Sequence, residues 1–311
     1  MALSDQNVRS AFDVVVIGEY YFDLIFRGLP GIPTIGTDIW AEEFDWLPGA
    51  SFSTALAFSR LGTRAGWWCT FGNDIFSRMI VEEAQREGIP TDLFQMVDRP
   101  LRRVSTAFSL THDRGFMSYS EEPEALIPRE ELYRLRPRVL LLQGFSLAPE
   151  RLALIEEARR LGIVVCSDCQ HIDMTLDTPS MRDALSRIDV FLPNAKEAID
   201  VTGAPDAGAA LAILSELCPT VVVKCGADGA IAMHEGRRHA VPALAVDVFD
   251  TTGAGDCFNA GFVHGFLNEP YFETAVETGV ICGSLAVTGY GGRNLPFLDD
   301  IPKYRRAKAA V

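Results

Sequence analysis

Lysine is scarce in this chain of 311 residues, and the positions of its lysines exclude one class of nucleotide-binding protein. A P-loop needs a lysine directly after a glycine, because that side chain reaches the phosphates from a glycine-rich loop. None of the four lysines follows a glycine; they are Lys196, Lys224, Lys303 and Lys308. The sequence therefore does not encode a P-loop.

Positive charge is in short supply overall. The 28 Lys and Arg residues face 42 Asp and Glu residues, which gives a formal net charge of −14. A chain of this charge repels phosphate-rich surfaces, so we expect neither nucleic acid nor a membrane as a partner. An anionic ligand such as ATP then needs local help from helix ends and a metal ion.

Long apolar runs are missing as well. No run approaches the length of a membrane span, and Asp5 and Arg9 interrupt the stretch where a signal peptide would have its apolar core. The seven cysteines have no regular spacing, which is typical of free thiols in a reducing compartment. Cys166 and Cys169 form a lone Cys-x-x-Cys, which we interpret as strand-end cysteines. A cytoplasmic location is expected.

The clearest chemical signal is the segment Asp-Thr-Thr-Gly-Ala-Gly-Asp at residues 250–256. An apolar pattern with helical spacing follows it, so the segment predicts the start of a helix. The first turn of a helix presents unpaired N–H groups and a partial positive charge, and glycine lets an anion come close. Asp256 would repel a bound phosphate, so we expect it to accept the proton of a hydroxyl that attacks the phosphate. A dinucleotide fingerprint is excluded, because Phe258 occupies the position of its third glycine.

This segment resembles the C-terminal signature of the ribokinase-like (PfkB) carbohydrate and nucleoside kinases, and the resemblance extends over residues 13 to about 298. It implies an α/β fold, namely a three-layer α/β/α sandwich with a mostly parallel central sheet and a small β-sheet lid. The implied organisation is a single kinase domain over residues 1–311. Two segments, at about 19–48 and 100–122, do not follow the alternation of strand and helix seen in the rest of the chain; they are the expected lid strands.

The resemblance also implies the catalytic residues. In the family, the first-turn amides form an anion hole for the transferred phosphoryl group, and the final aspartate of the signature is the base. These roles fall on Gly253, Ala254, Gly255 and Asp256 in this sequence.

The residues that would bind the phosphoryl acceptor match the family's substrate motif only in part. Asp23 lies just beyond the first predicted strand, where the family has an aspartate that grips substrate hydroxyls; an aspartate that stabilises a turn is the alternative. Gly49 matches the second glycine of the substrate motif Gly-Gly-x-x-x-Asn, whereas Pro48 and Ser53 replace its first glycine and its asparagine. The implied substrate residues are Asp23, Gly49, Ser53 and Asp256.

The nucleotide side carries a second family motif. Asn194-x-x-Glu197 places an amide and a carboxylate where they could hold Mg²⁺ through water, although the same pattern also caps a helix. The implied ATP-binding residues are Asn194, Lys224, Gly226, Gly229, Gly253, Gly255 and Gly289. The resemblance further implies a K⁺ site at carbonyl groups of Asp250 and Thr252. Asp168, at the end of a predicted strand, is either a substrate-site residue or a solvated loop residue.

The implied function is ATP-dependent phosphorylation of a hydroxyl group on a small sugar or related polyol. A nucleoside kinase of the same fold is the main alternative, because aromatic residues near the substrate end could stack on a base; these are Tyr20, Tyr21, Trp40 and Phe52. The pair Arg102-Arg103 would suit the second phosphate of a phosphofructokinase substrate or is simply solvated. A non-catalytic sensor of sugar or nucleotide is disfavoured, because a sensor does not need Asp256. Some ribokinase-like proteins dimerise through the lid, so a homodimer is a further expectation.

Three elements bear on where these residues lie. A short strand is expected at Asp38–Ala41, and an amphipathic helix is expected to follow Pro48 and to close at Gly62. Thr220–Lys224 is expected to be a central strand.

Overall fold

Two β-sheets organise the chain in a computed structural model that describes residues 10–32, 34–109, 114–121, 127–170, 172–290 and 294–308. The larger sheet has nine strands in the order β13-β12-β11-β10-β9-β8-β1-β4-β5. Its strands are β1 Val14–Ile17, β4 Ala65–Phe71, β5 Phe94–Met96, β8 Val139–Leu142, β9 Val164–Asp168, β10 Val190–Leu192, β11 Thr220–Lys224, β12 Ala230–His234 and β13 Arg237–Val241. The strands from β11 to β5 pair in parallel, and β12 and β13 add an antiparallel edge.

Helices cover both faces of this sheet. They are α1 Ser51–Arg60, α2 Ile75–Arg86, α3 Arg129–Leu135, α4 Pro149–Arg160, α5 Met181–Ser186, α6 Ala195–Thr202, α7 Ala207–Ser215, α8 Ala254–Asn268, α9 Phe272–Ala286 and α10 Ile301–Lys308. None of the helices in the described ranges is long and apolar enough to cross a membrane.

Strand β1 shows why the sheet is buried on both sides. Its four side chains are fully buried, and they alternate between two apolar cores. Val14 and Val16 belong to the core that contains residues of α1, α2, α8 and α9. Val15 and Ile17 belong to the core that contains residues of α3 to α7. A strand with helices on both faces needs a continuous apolar run, so the prediction of a three-layer α/β/α sandwich is confirmed.

The smaller sheet has four strands in the order β3-β2-β6-β7. They are β2 Tyr20–Arg27, β3 Glu43–Ala50, β6 Arg103–Ser109 and β7 Arg114–Ser120. The segment expected to supply lid strands at about 100–122 therefore does so, because β6 and β7 pair antiparallel; residues 110–113 lie outside the described residues. The predicted second sheet is confirmed.

Four expectations about local structure are corrected. The strand expected at Asp38–Ala41 is wrong: β3 begins at Glu43, because it pairs antiparallel with the whole length of β2. Residues 48–50 complete that strand, so α1 begins only at Ser51; Pro48 is tolerated because β3 is an edge strand. Asp23 lies beyond β1 as expected, but inside strand β2, so the alternative of an aspartate that stabilises a turn is wrong. Strand β11 is third from one edge of the sheet, not central.

Close packing between α8 and α9 fixes the direction of α8. A Cβ atom added at Gly261 of α8 would lie 2.7 Å from Cys282 Sγ and 2.8 Å from the Thr278 carbonyl oxygen, both on α9. The two helix backbones therefore approach each other at this point. The direction of α8 matters because residues 253–256 stand at its start.

We predict that Gly261→Ala destabilises the protein although alanine favours helix more than glycine does. Overpacking a close contact costs about 1–3 kcal/mol, which exceeds the gain in helix propensity of about 1 kcal/mol. Thermal unfolding should therefore show a melting temperature lower by a few degrees. The control is Gly208→Ala on α7, where the added Cβ would lie no closer than 3.2 Å to Asp206 Oδ1 and 3.8 Å to an Arg238 side-chain nitrogen. An unchanged melting temperature for Gly261→Ala would contradict the packing argument.

Candidate active site

The start of α8 is built as the sequence predicts. Gly253 is the N-cap residue with φ 73°, a left-handed conformation that glycine adopts without strain. A Cβ atom at Gly253 would also lie 2.8 Å from Ser53 Oγ, so the α8 start packs directly on α1. Asp256 lies in the first helical turn, and its side chain is half-buried. The structure thus brings the predicted base, the predicted anion hole and Ser53 together.

The environment of Asp256 disfavours its ionised form. Burial raises the pKa of this carboxyl from 3.8 to about 7, and the negative charges of Asp168, Glu197 and Asp23 act in the same direction. The positive charge of Lys224 opposes them. A carboxyl with a pKa near neutrality is suited to take up a proton during a reaction and to release it afterwards.

Lys224 lies at the end of β11 and is held by two side chains. Its Nζ donates to Asp168 Oδ1 at 2.9 Å and to Asn259 Oδ1 at 3.2 Å. Burial opposes the charge of Lys224, but the neighbouring Asp168 carboxylate outweighs it and raises the lysine pKa. Asp168 is therefore a site residue and not a solvated one. Asn259 was missed by the sequence reasoning, although it follows Asp256 by three residues on the same helix face.

A cavity of about 590 Å³ extends from the α8 start. Its polar end includes Asp168, Asn194, Glu197, Lys224 and the segment 253–256, and its far end is lined by aliphatic residues such as Leu244, Val246, Val280 and Val287. We call it the nucleotide cavity. A polar end with backbone amides beside an apolar slot fits a phosphate chain attached to a flat base.

Of three further glycines predicted to bind nucleotide, two line the nucleotide cavity and one does not. Gly226 and Gly229 line the nucleotide cavity. Gly229 has φ 88°, and a Cβ atom there would lie 2.1 Å from the Val241 carbonyl oxygen, so only glycine fits this turn. Gly289 packs against the amide of Asn294, and its contact with nucleotide stays a prediction.

Asn194 and Glu197 form a complete capping box at the start of α6. Asn194 Oδ1 accepts from the Glu197 N–H at 2.9 Å, and Glu197 Oε2 accepts from the Asn194 N–H at 2.7 Å. The helix-cap interpretation of this motif is thus confirmed. Both residues also line the nucleotide cavity, so their role at a metal stays a prediction. Within the described ranges, no group of three or more His, Cys, Asp or Glu residues could hold a metal by itself.

Asp250 and Thr252 stabilise the turn before α8. Asp250 Oδ1 accepts from the Thr252 N–H at 2.9 Å and from the Thr252 hydroxyl at 2.7 Å. This geometry orders the loop that leads to Gly253. The K⁺ site implied for their carbonyl groups is not tested by these contacts and stays a prediction.

The acceptor-side residues come together on the inner face of the smaller sheet. Asp23 is buried, and its Oδ1 accepts from Ser105 Oγ at 2.5 Å. A Cβ atom on Gly49 would lie 2.1 Å from Asp23 Oδ2, so the glycine leaves room for that carboxylate. Burial raises the pKa of Asp23, whereas the bond from Ser105 lowers it. Ser105 was not predicted as a site residue, although it lies in the segment at about 100–122 that was expected to form lid strands.

A second cavity, of about 250 Å³, opens at the carboxyl ends of β1, β8 and β9. It is lined by Glu19, Tyr21, Ser51, Gln143, Ser146 and Gln170 together with backbone of their neighbours. We call it the side cavity. Gln170 lines both cavities, so the side cavity adjoins the nucleotide cavity.

Most of the aromatic residues considered for base stacking, and the two arginines considered for a second phosphate, do not line either cavity. Tyr20 and Phe52 are buried in the core, Trp40 is 84% exposed, and only Tyr21 of this set lines the side cavity. Arg103 is fully buried and forms an ion pair with Glu19 at 3.5 Å, so it is not solvated; Arg102 pairs with Glu121 at the surface.

Comparison with known proteins decides the family. The model of the pfkB family carbohydrate kinases matches residues 48–299. The chain belongs to this family. PfkB carbohydrate kinases are ATP-dependent phosphotransferases with a hydroxyl acceptor, so the kinase interpretation is confirmed and the sensor alternative falls away.

Individual relatives agree with the family. The chain is 30% identical over 281 residues to aminoimidazole riboside kinase of Salmonella typhimurium, with 81% of this chain and 86% of that protein covered. It is 26% identical over 265 residues to ribokinase of Haemophilus influenzae, which covers 79% of this chain and 82% of that protein.

Solved structures share the fold. An Arabidopsis thaliana ribokinase complexed with ribose and ATP matches with a TM-score of 0.80 at 22% identity, over 94% of this chain and 98% of that chain. A PfkB protein from Polaromonas sp. JS666 matches with a TM-score of 0.74 at 26% identity, over 94% and 99%.

We predict that kcat/KM of this PfkB kinase falls as the pH drops through about 7, because Asp256 must be ionised to act as the base. We call this fall the acidic limb of the pH profile. Lys224→Met removes a charge that lowers the Asp256 pKa, so it should move the limb to higher pH. Asp168→Asn removes a charge that raises it, so it should move the limb to lower pH. The measurement is kcat/KM for the acceptor against pH with saturating ATP and Mg²⁺. ATP titrates equally in all three proteins, so identical limbs would refute the assignment to Asp256.

Proposed function

We propose that this PfkB kinase transfers the γ-phosphoryl group of ATP to a hydroxyl group of a small sugar or related polyol. One observation carries the proposal. Asp256, with a pKa raised to about 7, stands in the same helical turn as the amides of residues 253–255, between the nucleotide cavity and the buried Asp23.

Each residue has a role in this proposal. Asp23 accepts hydrogen bonds from hydroxyl groups of the substrate, and Ser53 can accept or donate them. Gly49 leaves the space beside the Asp23 carboxylate open. Asp256 takes the proton of the attacking hydroxyl.

The N–H groups of Gly253 and Gly255 would stabilise the charge that develops on the phosphoryl oxygens. The Ala254 N–H donates to the Thr251 carbonyl oxygen at 3.4 Å and would have to leave this long contact to take part.

ATP and Mg²⁺ fit the residues of the nucleotide cavity. The aliphatic slot suits the adenine, the turn at Gly226 and Gly229 lies along the cavity, and the α8 start suits the phosphates. Mg²⁺ keeps several waters and takes only one or two carboxylates besides phosphate oxygens, so Asn194 and Glu197 suffice as water-mediated partners. When bound, the ion would neutralise charge on the phosphates, which the acidic chain cannot do alone.

The size of the side cavity favours a monosaccharide or polyol over a nucleoside. Its volume of about 250 Å³ lies below the roughly 300–1,000 Å³ that is typical of pockets for larger ligands. Of the four aromatic residues considered for base stacking, Tyr21 alone lines it. A nucleoside kinase is the second candidate, and the 30% identity to aminoimidazole riboside kinase is the observation that favours it.

The smaller sheet would act as the lid of a single kinase domain over residues 1–311. Its inner face carries Asp23 and Ser105, so its position decides whether the acceptor is enclosed. Closure would exclude water, which would otherwise accept the phosphoryl group.

We predict opposite effects of Asp256→Asn on activity and on stability. Loss of a general base should lower kcat by about 10²- to 10⁴-fold. The pKa of about 7 in the folded protein lies above the ordinary aspartate pKa of 3.8, so ionisation of Asp256 destabilises the folded state progressively between these pH values and fully above them. The neutral variant should therefore melt a few degrees higher at pH 8 and show a smaller gain at pH 5.

The measurements are ADP release across sugars, polyols and nucleosides, and thermal unfolding without nucleotide. Asp92→Asn, at an exposed position before β5, is the control and should change neither quantity. Turnover that survives in Asp256→Asn would rule out this residue as the base.

We further propose that the outer face of the smaller sheet pairs with a second copy of the chain. The register places Phe26 and Phe44 side by side, and Met117 and Tyr119 point to the same face as Thr106 and Val104 beside them. Phe44, Met117 and Tyr119 are 58%, 70% and 57% exposed. A second copy presents the same apolar face, so a two-fold contact would cover both at once.

The homodimer predicts a mass of about twice 34.1 kDa in light scattering coupled to size exclusion. Phe44→Asp combined with Met117→Asp should give the monomer mass, because each charge would be desolvated at the interface. Met96→Asp, at an equally exposed methionine on the larger sheet, is the control and should remain dimeric. A monomeric wild type at micromolar concentration would exclude the dimer.

A further inference from the structure

Asn259 is a fully buried polar residue in an apolar stretch of α8. Its neighbours along the helix, Cys257, Phe258 and Ala260, belong to the hydrophobic core. Asn259 Oδ1 accepts from Lys224 Nζ at 3.2 Å, whereas Asn259 Nδ2 has no hydrogen-bond partner within the described part of the chain. A buried amide N–H without a partner costs stability, so packing alone would favour an apolar residue at this position. The bond to Lys224 is what an apolar residue could not supply.

The amide of Asn259 has one orientation that suits Lys224. The ammonium group of lysine donates hydrogen bonds and cannot accept them, so the amide must present its oxygen. The second anchor is Asp168, whose Oδ1 accepts from Lys224 Nζ at 2.9 Å. The same Asp168 oxygen accepts from the Cys169 N–H at 2.9 Å, which orients the carboxylate. Two acceptors in fixed positions therefore hold the ammonium group.

The backbone of Lys224 is fixed as well. The Lys224 N–H donates to the Pro193 carbonyl oxygen at 2.9 Å, and Lys224 forms a parallel bridge with Asn194 just beyond the end of β10. The side chain thus runs between two fixed ends, and only 12% of it is exposed. Its rotamer freedom is therefore lost on folding and not on binding a ligand.

One N–H of the ammonium group is left for a ligand. A lysine has three such donors, and the contacts with Asp168 and Asn259 use two of them. Lys224 lines the nucleotide cavity, and a Cβ atom on Gly255 would lie 3.5 Å from Lys224 Nζ. The ammonium group therefore stands beside the backbone of the α8 start. Burial alone would lower the pKa of Lys224, but Asp168 outweighs it and raises the pKa, so this group stays charged.

We propose that Asn259 and Asp168 are positioning residues that aim the remaining N–H of Lys224 at the γ-phosphoryl group of ATP. This inference rests on the proposed function, because it concerns the phosphoryl donor of the same reaction. Lys224 keeps its proton throughout and donates a hydrogen bond to a phosphoryl oxygen, beside the N–H of Gly255. A lysine held in this way needs no rearrangement when charge develops on the group in transfer.

Nucleotide binding gives the first test, and it needs no acceptor. Dissociation constants of ADP and of the non-hydrolysable ATP analogue AMP-PNP are measured by calorimetry with Mg²⁺. Asn259→Leu keeps the shape of the side chain but removes the oxygen, so it should weaken AMP-PNP about three- to tenfold and ADP less than about twofold. Lys224→Met should have the same selective effect. An unchanged ratio of the two constants in Asn259→Leu would overturn the proposal.

Rescue by a second variant separates positioning from packing. Asn259→Asp keeps an oxygen for Lys224 but adds a negative charge near Asp256, so it should move the acidic limb to higher pH. The charged groups that already act on Asp256 are Asp168, Glu197, Asp23 and Lys224. At about pH 9, above the limb, kcat of Asn259→Asp should lie within about threefold of wild type, whereas kcat of Asn259→Leu should be about tenfold lower at every pH. Equal losses in both variants at that pH would show that Asn259 acts through packing alone.

Thr278→Val is the matched control. Thr278 is buried on α9, where its hydroxyl donates to the Thr274 carbonyl oxygen and accepts from Arg305. It does not line the nucleotide cavity. Loss of these bonds should lower the melting temperature and leave kcat and both dissociation constants unchanged.

Failure of this inference differs from failure of the proposed function. If the inference alone fails, ADP is released in an Asp256-dependent reaction, but Asn259→Leu leaves the ratio of the AMP-PNP and ADP constants unchanged. If the proposed function alone fails, no sugar, polyol or nucleoside gives ADP release, while Asn259→Leu still weakens AMP-PNP selectively.

Discussion

The structure depends on keeping one carboxylate at the start of a helix where its charge is disfavoured. Asp256 is surrounded by the negative charges of Asp168, Glu197 and Asp23, and the positive charge of Lys224 opposes them. Helix α8 is held by α9 at Gly261 and by α1 at Gly253, and these contacts fix the backbone position from which the Asp256 side chain extends.

The two sheets divide the site between them. The carboxyl ends of β9 and β11 bring in Asp168 and Lys224, and the residues after β10 bring in Asn194, all on the nucleotide side. The inner face of the smaller sheet brings in Asp23 and Ser105 on the acceptor side. The negative charges of Asp168 and Asp23 both act on Asp256, so Asp256 lies near both groups and its proposed role as the base depends on how the two sheets are placed.

The errors of sequence reasoning have physical causes. The strand expected at Asp38–Ala41 rested on local propensity, but the strand that forms at Glu43–Ala50 is fixed by pairing with β2. Tyr20 and Phe52 were considered for base stacking only under the nucleoside-kinase alternative, and both are buried in the core. Arg103 was expected at the surface or at a phosphate, but Glu19 pairs with it in the interior. Each error concerns a partner that is distant in sequence.

The sequence alone determined the reaction class and the position of the helix start at Gly253. Glycine at 253 and an aspartate three residues later are local chemistry, because φ angles, unpaired amides and the first helical turn depend only on neighbouring residues. Tertiary structure decided what surrounds that turn. The raised pKa of Asp256, the Asp168–Lys224–Asn259 contacts and the hydrogen bond from Ser105 to Asp23 come from segments that meet only after folding. Burial and charge proximity are properties of that assembly, so no local pattern could have specified them.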